Sequence, residues 1–405
     1  MKTQLPAKYF QLLFLVLMVA INLSAQDNAA DSVLNERLSA IEKDIHYNKP
    51  GQEHFLITGL ATVGFSAQKI NNTVDGFTTR EKTNSLGDVD HFEFSPMLLW
   101  RHGQKLLMEF EPSFSDNGLG VNWADISYFA APGLILRAGY LVLPFGTYSK
   151  RLAAGWIDKL ATDPMGIADM TPTDYGIEME GGLPLGKMKM NYDIALSNGS
   201  QLMNDGTISS GDITDNNTNK TLTARLGWLP FSNSTLELGI SGMFGKLGDA
   251  GTPFANASGK MYAADLNYVN TFQPVLVNIK SQFNFQDITG EPYPDPRDPS
   301  QTYSFKNHTS SSFIQCALRP TGAGKLIRNF ELAGRYTHFD TPANSLFGSR
   351  QSSVAAGLNY WLSWRSVVKL TYEAYKGKST ASKFLDAYTG LTKTSALYLQ
   401  FAIQL

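Results

Sequence analysis

Charged side chains of both signs are concentrated in residues 144–173, between two segments that alternate apolar and polar residues. Beside the apolar Trp156, this stretch contains Lys150, Arg151, Asp158, Lys159, Asp163 and Asp169. A loop with this mixture is suited to folding back inside a pore. There the three cations could act as fixed charges that favour anionic solutes. Equally, they could pair with the aspartates and only hold the loop in place, and the sequence leaves both interpretations open.

The segments on either side of this loop have the period of membrane β-strands. In residues 187–196 every even-numbered residue is apolar, whereas Lys187, Lys189, Asn191 and Asp193 are polar. A strand with one face toward lipid and a wet reverse face requires this alternation. About sixteen such segments follow one another between residues 54 and 405, and an even number closes a bacterial barrel. We therefore predict an all-β fold, a transmembrane antiparallel β-barrel of about 16 strands.

The connections between these segments alternate in length. Residues 182–186, 230–233 and 363–366 are short turns, whereas residues 68–90, 198–220, 287–307 and 376–393 are long and polar. Short turns on the periplasmic side and long loops on the outside are typical of outer-membrane barrels. The same register predicts a pore lumen lined by the cations of Arg137, Arg225, Lys280, Arg335 and Lys369. Acidic residues occur inward in nearly equal number, so no strong charge preference follows.

The N-terminus indicates export. Lys2 and Lys8 precede an apolar run over residues 10–21, and Ala25 ends a short stretch of small residues, as in a cleavable signal peptide. We predict a signal peptide at 1–25, a short helical segment at 26–50 and the barrel at 51–405. Within the helical segment, four apolar residues are spaced so that they lie on one face of a helix; they are Leu34, Leu38, Ile41 and Ile45. This face could form the seam of a periplasmic coiled coil or lie against the protein as a single helix.

Composition excludes several other classes. The formal net charge is -2 and the pI about 6.3, so nothing favours nucleic acid as a partner. Cys316 is the only cysteine, which precludes an internal disulfide. None of the six histidines lies in a catalytic motif, and His338 beside Asp340 is interpreted as a polar pair at the rim. We expect no enzymatic activity, no metal site and no cofactor.

Four stretches resemble a known family. AGYLVLPFGTYSKRL at 138–152, ELAGRYTHFD at 331–340, GLNYWLSWRSVVKLTYE at 357–373 and the terminal LYLQFAIQL look like the phosphate-selective porin O/P family, in a form typical of Bacteroidetes-type outer membranes. The resemblance implies a homotrimer of sixteen-stranded barrels whose third outer loop narrows the channel. That loop corresponds here to residues 144–173. Because the inward charges are balanced, the resemblance is not extended to phosphate selectivity.

These patterns together predict the function and its location. We expect a porin of the cell outer membrane, surrounded by its lipids, that passes small hydrophilic solutes, anionic ones among them. A plugged barrel that binds partners at the cell surface, or adheres through its long loops, is the alternative. An outer-membrane hydrolase is a further one.

Overall fold

The computed structural model describes residues 53–74, 76–86, 92–115, 118–211, 217–252, 254–289, 292–322, 324, 326–381 and 390–405. The signal peptide predicted at 1–25 and the helical segment at 26–50 lie outside the described residues. Among the residues that are described, no helix is both long and apolar enough to span a bilayer.

Sixteen strands make up the wall of the described chain. The first eight are β1 (Glu53–Val74), β2 in two segments (Phe77–Leu86 and Phe92–His102), β3 (Leu106–Ser115), β4 (Gly118–Ala131), β5 (Leu134–Val142), β6 (Thr173–Leu185), β7 (Met188–Ser197) and β8 (Thr221–Leu229). The second eight are β9 (Leu236–Lys246), β10 (Ser258–Phe272), β11 (Val275–Ile288), β12 (Asn307–Pro320), β13 (Phe330–Asp340), β14 (Ser349–Ser363), β15 (Ser366–Ser379) and β16 (Gly390–Gln404).

Each strand pairs antiparallel with the next, and the sheet closes on itself. The closing pair is β1 with β16, from Leu60 opposite Gln404 to Val74 opposite Gly390. Closure matters because a barrel without a free edge satisfies every backbone polar group inside a bilayer. The predicted sixteen-stranded antiparallel barrel is confirmed.

Side chains alternate between the two faces of the wall. On β8, Thr223 and Arg225 are buried toward the interior while Leu222, Leu226 and Trp228 are exposed on the outside. The same alternation on the other strands builds an apolar outer belt that includes Ile240, Phe283, Ile314, Leu332, Val354, Leu370 and Leu399. Aromatic pairs stand near both ends of this outer surface, as with Phe330 and Tyr360 beside the short turns and Phe244 and Tyr262 beside the long loops. An apolar band between aromatic girdles is the surface that a bilayer requires.

One predicted loop is largely strand. Residues 68–90 were expected to form a long polar connection, but β1 continues to Val74 and pairs with the first segment of β2, with Asn71 opposite Arg80. Residues 77–84 are exposed throughout, so neither face needs apolar side chains. The period-two pattern that marks a half-buried strand is therefore absent from this hairpin.

Outer connections pack together into a second hydrophobic core, here called the mouth cluster. It joins the loops that follow β7, β9 and β11 and consists of buried Leu202, Leu247, Phe254, Ala257, Ile288, Tyr293, Tyr303 and Phe305. Leu346 and Phe347, in the loop after β13, pack against it. Two short hairpins stiffen its loops, Gln201–Leu202 with Ile208–Ser209 and Tyr293–Asp295 with Asp298–Tyr303. The loop after β7 reaches as far as β12, where the Asn307 amide donates to the Gly206 carbonyl at 2.7 Å.

Candidate functional site

The connection from β5 to β6, residues 143–172, lies inside the barrel and is here called the interior loop. It leaves the wall at Gly146, whose N–H donates to Oγ of Ser241 on β9 at 3.0 Å. The next two N–H groups, of Thr147 and Tyr148, donate to the same Gln282 oxygen on β11 at 2.8 and 2.9 Å. Gly146 has a φ of 67°, and a Cβ there would lie 2.1 Å from the Gln282 side chain. Only glycine allows this close entry.

Beyond that entry, side chains of the wall donate hydrogen bonds to the carbonyl oxygens of the interior loop. Lys280 donates to Ile157 at 3.0 Å, and Lys369 donates to Leu160 at 2.9 Å. Further donors to the loop backbone are Asn359 to Lys159, Arg335 to Thr162 and Asp163, and Ser311 to Met165. Five strands from β11 to β15 thus hold one continuous stretch of loop. An unpaired buried carbonyl is costly, so each of these bonds fixes the course of the loop.

Asp158 is the charged centre of these attachments. Its carboxylate accepts a hydrogen bond from the Gln315 amide at 3.0 Å and lies 3.6 Å from the Arg335 guanidinium. The Tyr148 hydroxyl lies 2.9 Å from the same carboxylate. Burial raises the pKa of Asp158, but the cations of Arg335, Lys369 and Lys280 lower it by more, so the net pKa lies below its ordinary value. Asp158 is therefore a carboxylate that anchors the loop from within.

Lys150 and Arg151 extend in the opposite direction, toward β6, β7 and β9. The Lys150 ammonium contacts the carboxylates of Glu178, Glu180 and Asp193, the last two at 3.2 and 3.6 Å. Arg151 lies 3.2 Å from Asp193. Its other terminal nitrogen lies 3.2 Å from Glu237 on β9. The two cations therefore attach the interior loop to carboxylates on β6, β7 and β9, on the other side of the barrel from β11 to β15.

The remaining predicted residues also lie inside the barrel. Lys159 lies 3.3 Å from Glu331 and 4.8 Å above the Trp361 ring. Arg225 binds Asp265 through two nitrogens, at 2.7 and 3.1 Å. Arg137 lies 3.2 Å from Glu180 and 3.7 Å from Glu109. Every charged residue predicted for the loop constriction or the lumen therefore has a partner of opposite charge or a backbone acceptor. Whether any of them governs solute selection stays a prediction.

The sequence did not single out a patch of carboxylates on β2 to β4. Glu93 and Glu111 face each other across Asn122, whose amide donates to Glu111 at 2.8 Å. Asp125 lies one pleat away, opposite Glu109 in the strand register. The alternation on β4 is poor, so its inward residues gave little signal, although Glu109 and Glu111 fit the period of β3.

One group of described residues could hold a metal ion. Oxygens of Glu178, Glu180 and Asp193 lie within 4.8 Å of one another, as the ligands of a hard cation would. The Lys150 ammonium stands among them. His338, the histidine closest to a catalytic pattern, lies 3.4 Å from Asp340, which also contacts Arg350 at 3.1 Å. That arrangement is a polar pair at the rim, with an ion pair between Asp340 and Arg350 beside it.

Comparison with known proteins agrees on the architecture. No family model matches the chain, and no curated protein matches it in sequence. The structure is similar to the outer membrane channel DcaP of Acinetobacter baumannii, with a TM-score of 0.53 and 11% identity over 87% of this chain and 97% of that one. An anion-selective porin from Comamonas acidovorans is similar with a TM-score of 0.51 and 11% identity, over 87% of this chain and 100% of that one. Outer-membrane expressed OmpT of Vibrio cholerae is similar with a TM-score of 0.51 and 10% identity, over 88% of this chain and 99% of that one.

At such identities the likeness establishes the fold alone. It is the fold of an outer-membrane barrel, and the apolar belt fits that setting, so the expected location in the outer membrane is confirmed. The resemblance to the phosphate-selective porin O/P family is not matched by a family model and stays a prediction.

Proposed function

We propose that this protein is an outer-membrane porin, a channel through which small hydrophilic solutes diffuse without an energy source and without enzymatic chemistry. The observation that carries the proposal is the interior loop, which lies inside a closed barrel and is held to the polar inner wall at many points. A polar lumen keeps water in the bore, and an infolded loop sets its width. The similar solved structures described as a channel and as a porin support the same function.

Phosphate selectivity is not part of the proposal. A pore that selects phosphate needs unpaired cations facing the lumen. Here Lys150 and Arg151 contact carboxylates, and Lys280, Arg335 and Lys369 are buried and occupied with the loop backbone or Asp158. The cations that suggested anionic solutes are therefore committed to contacts within the protein.

The assembly and the processing of the chain are proposed as well. The barrel functions as a homotrimer, residues 1–25 are a signal peptide that is removed, and residues 26–50 form a short periplasmic helix or coiled coil. N-terminal sequencing of the mature protein should begin at Gln26, and chemical cross-linking should yield a trimer. A chain that retains Met1, or a cross-linked species no larger than a dimer, would contradict these points.

A planar bilayer recording tests the channel itself. Detergent-purified, heat-modifiable protein should insert as steady ohmic steps in KCl, in groups of three if the trimer is correct. Folded protein that inserts without conductance would support the second candidate, a plugged barrel that binds partners at the surface. The mouth cluster is the observation that favours that candidate, because it joins the loops that follow β7, β9 and β11.

A further inference from the structure

The interior loop covers one side of the inner wall of the barrel, so that a solute path can run only along the other side. The interior loop contacts inward side chains of every strand from β9 to β16, beginning at Ser241 on β9 and ending where Ala161 packs on Ala396 and Tyr398 of β16. The mouth cluster joins the loops that follow β7, β9 and β11, with Leu346 and Phe347 of the loop after β13 packed against it. Toward the carboxylates of β6 and β7 the interior loop extends the long side chains of Lys150 and Arg151. Loop residues also pack on Ala195 of β7, so a path through the described barrel follows the inner face of β2 to β7 outside that contact.

That face is rich in carboxylates and is here called the acid wall. It consists of Glu93 on β2, Glu109 and Glu111 on β3, Asp125 on β4, Glu178 and Glu180 on β6, and Asp193 on β7. Within the described chain, the cations that contact these seven groups are three, Arg137, Lys150 and Arg151. Arg101 and Lys189, also on these strands, lie nearer to the short turns and donate to the Gln104 carbonyl and to Ser234. The acid wall thus keeps a negative excess.

The chain itself shows which chemistry the acid wall binds. The Lys150 ammonium stands among three carboxylates as a tethered alkylammonium, and the Arg151 guanidinium sits beside it on Asp193. The second oxygen of Glu178 is buried and accepts no hydrogen bond from the described residues. Contacts of this kind are the ones that a passing organic cation would make in place of its water.

The opposite wall, over the strands that the structure describes, offers no matching positive surface. Lys280, Arg335 and Lys369 on β11, β13 and β15 are at most 3% exposed and donate to carbonyl oxygens of the interior loop. Charges that are buried and already bonded contribute little to the selection of ions in a neighbouring aqueous path, and this applies also to Glu111, Asp125, Glu178 and Asp193 of the acid wall, which are buried. The carboxylates that a solute can reach are the partly exposed Glu93, Glu109 and Glu180, and carboxylates that line a pore attract cations.

We propose that the channel passes small cations, including alkylammonium and guanidinium solutes, in preference to anions, and that the acid wall causes this preference. The inference rests on the proposed function, since it requires an open pore. It assigns to the protein a class of solute that neither its composition nor its net charge indicates.

Reversal potentials test the inference. Wild-type protein in a KCl gradient should give a potential whose sign reports cation preference, best measured at low salt, where screening is weak. The double variant Glu93→Gln, Glu111→Gln should reduce the ratio of cation to anion permeability by roughly twofold. Asp205→Asn, which removes one carboxylate from an outer loop, is the matched control and should leave the ratio unchanged.

The outcomes separate the two proposals. Ohmic steps with an anion-selective potential would overturn the inference and leave the porin in place. If the double variant and Asp205→Asn both keep the wild-type ratio of cation to anion permeability, the role of the acid wall would be overturned. Absence of conductance in folded wild-type protein would overturn the proposed function, and the inference with it.

Discussion

The two halves of the barrel interior use the same types of side chain in different ways. On β11 to β15, cations are buried and donate to the backbone of the interior loop, as Lys369 does to Leu160. On β5 to β7 the contacts are ion pairs, as between Arg137 and Glu180, and both side chains remain partly exposed. A lysine or arginine in a pore wall is therefore no sign of an ion path by itself. What matters is whether its partner is the backbone of the protein or a group that a solute can reach.

Removal of the loop should produce the largest change. Deletion of residues 152–161, around Trp156, takes away the segment that packs against Trp361, Val367 and Ala402. Single-channel conductance should increase by roughly twofold, because the covered half would then be open to water. As a control, deletion of residues 72–79 at the exposed hairpin of β1 and β2 should leave the conductance near the wild-type value. Equal conductance for both deletions would place the interior loop outside the path.

Removal of a single buried cation that holds the interior loop should lower the free energy of unfolding of the barrel. Arg335→Ala leaves two loop carbonyls without their donor and removes the guanidinium that lies beside the Asp158 carboxylate, and breaking a buried pair of this kind costs about 3 kcal/mol. Arg151→Ala, at a side chain that is 34% exposed, should cost less than about 1 kcal/mol. Urea unfolding in detergent micelles measures both. Similar losses for the two variants would remove the distinction between the halves.

The smallest effect concerns the entry of the interior loop. Gly146→Ala places a Cβ at positive φ against Gln282 and should cost about 2 kcal/mol, through strain and disturbed hydrogen bonds. Gly103→Ala, at a φ of 61° with open space around it, is the matched control and should cost about 1 kcal/mol. The same unfolding assay decides. Identical costs would mean that the contact with Gln282 does not hold the loop.

The sequence predicted the wall better than the contacts inside it. Period-two alternation located sixteen strands because one face meets lipid and the other water, and it correctly turned Arg225 and Lys280 inward. It could not reveal that Lys280 lies against Ile157 of the loop, since alternation gives the face of a residue and not its partner. The first segment of β2 was missed because both of its faces are exposed to solvent, so its sequence does not alternate between apolar and polar residues. Asp125 was missed because its strand alternates weakly, whereas Glu93 lies between the outward Phe92 and Phe94 and fits the inward period of its strand.

Thiol accessibility tests the central claim, that the path follows the acid wall while the interior loop covers the other half. In a Cys316→Ala background, single cysteines would replace Glu109 on the acid wall and fully buried Thr337 on β13. A charged methanethiosulfonate reagent should lower the single-channel conductance of Glu109→Cys in discrete steps and leave Thr337→Cys unchanged. Block of Thr337→Cys together with insensitivity of Glu109→Cys would contradict the account.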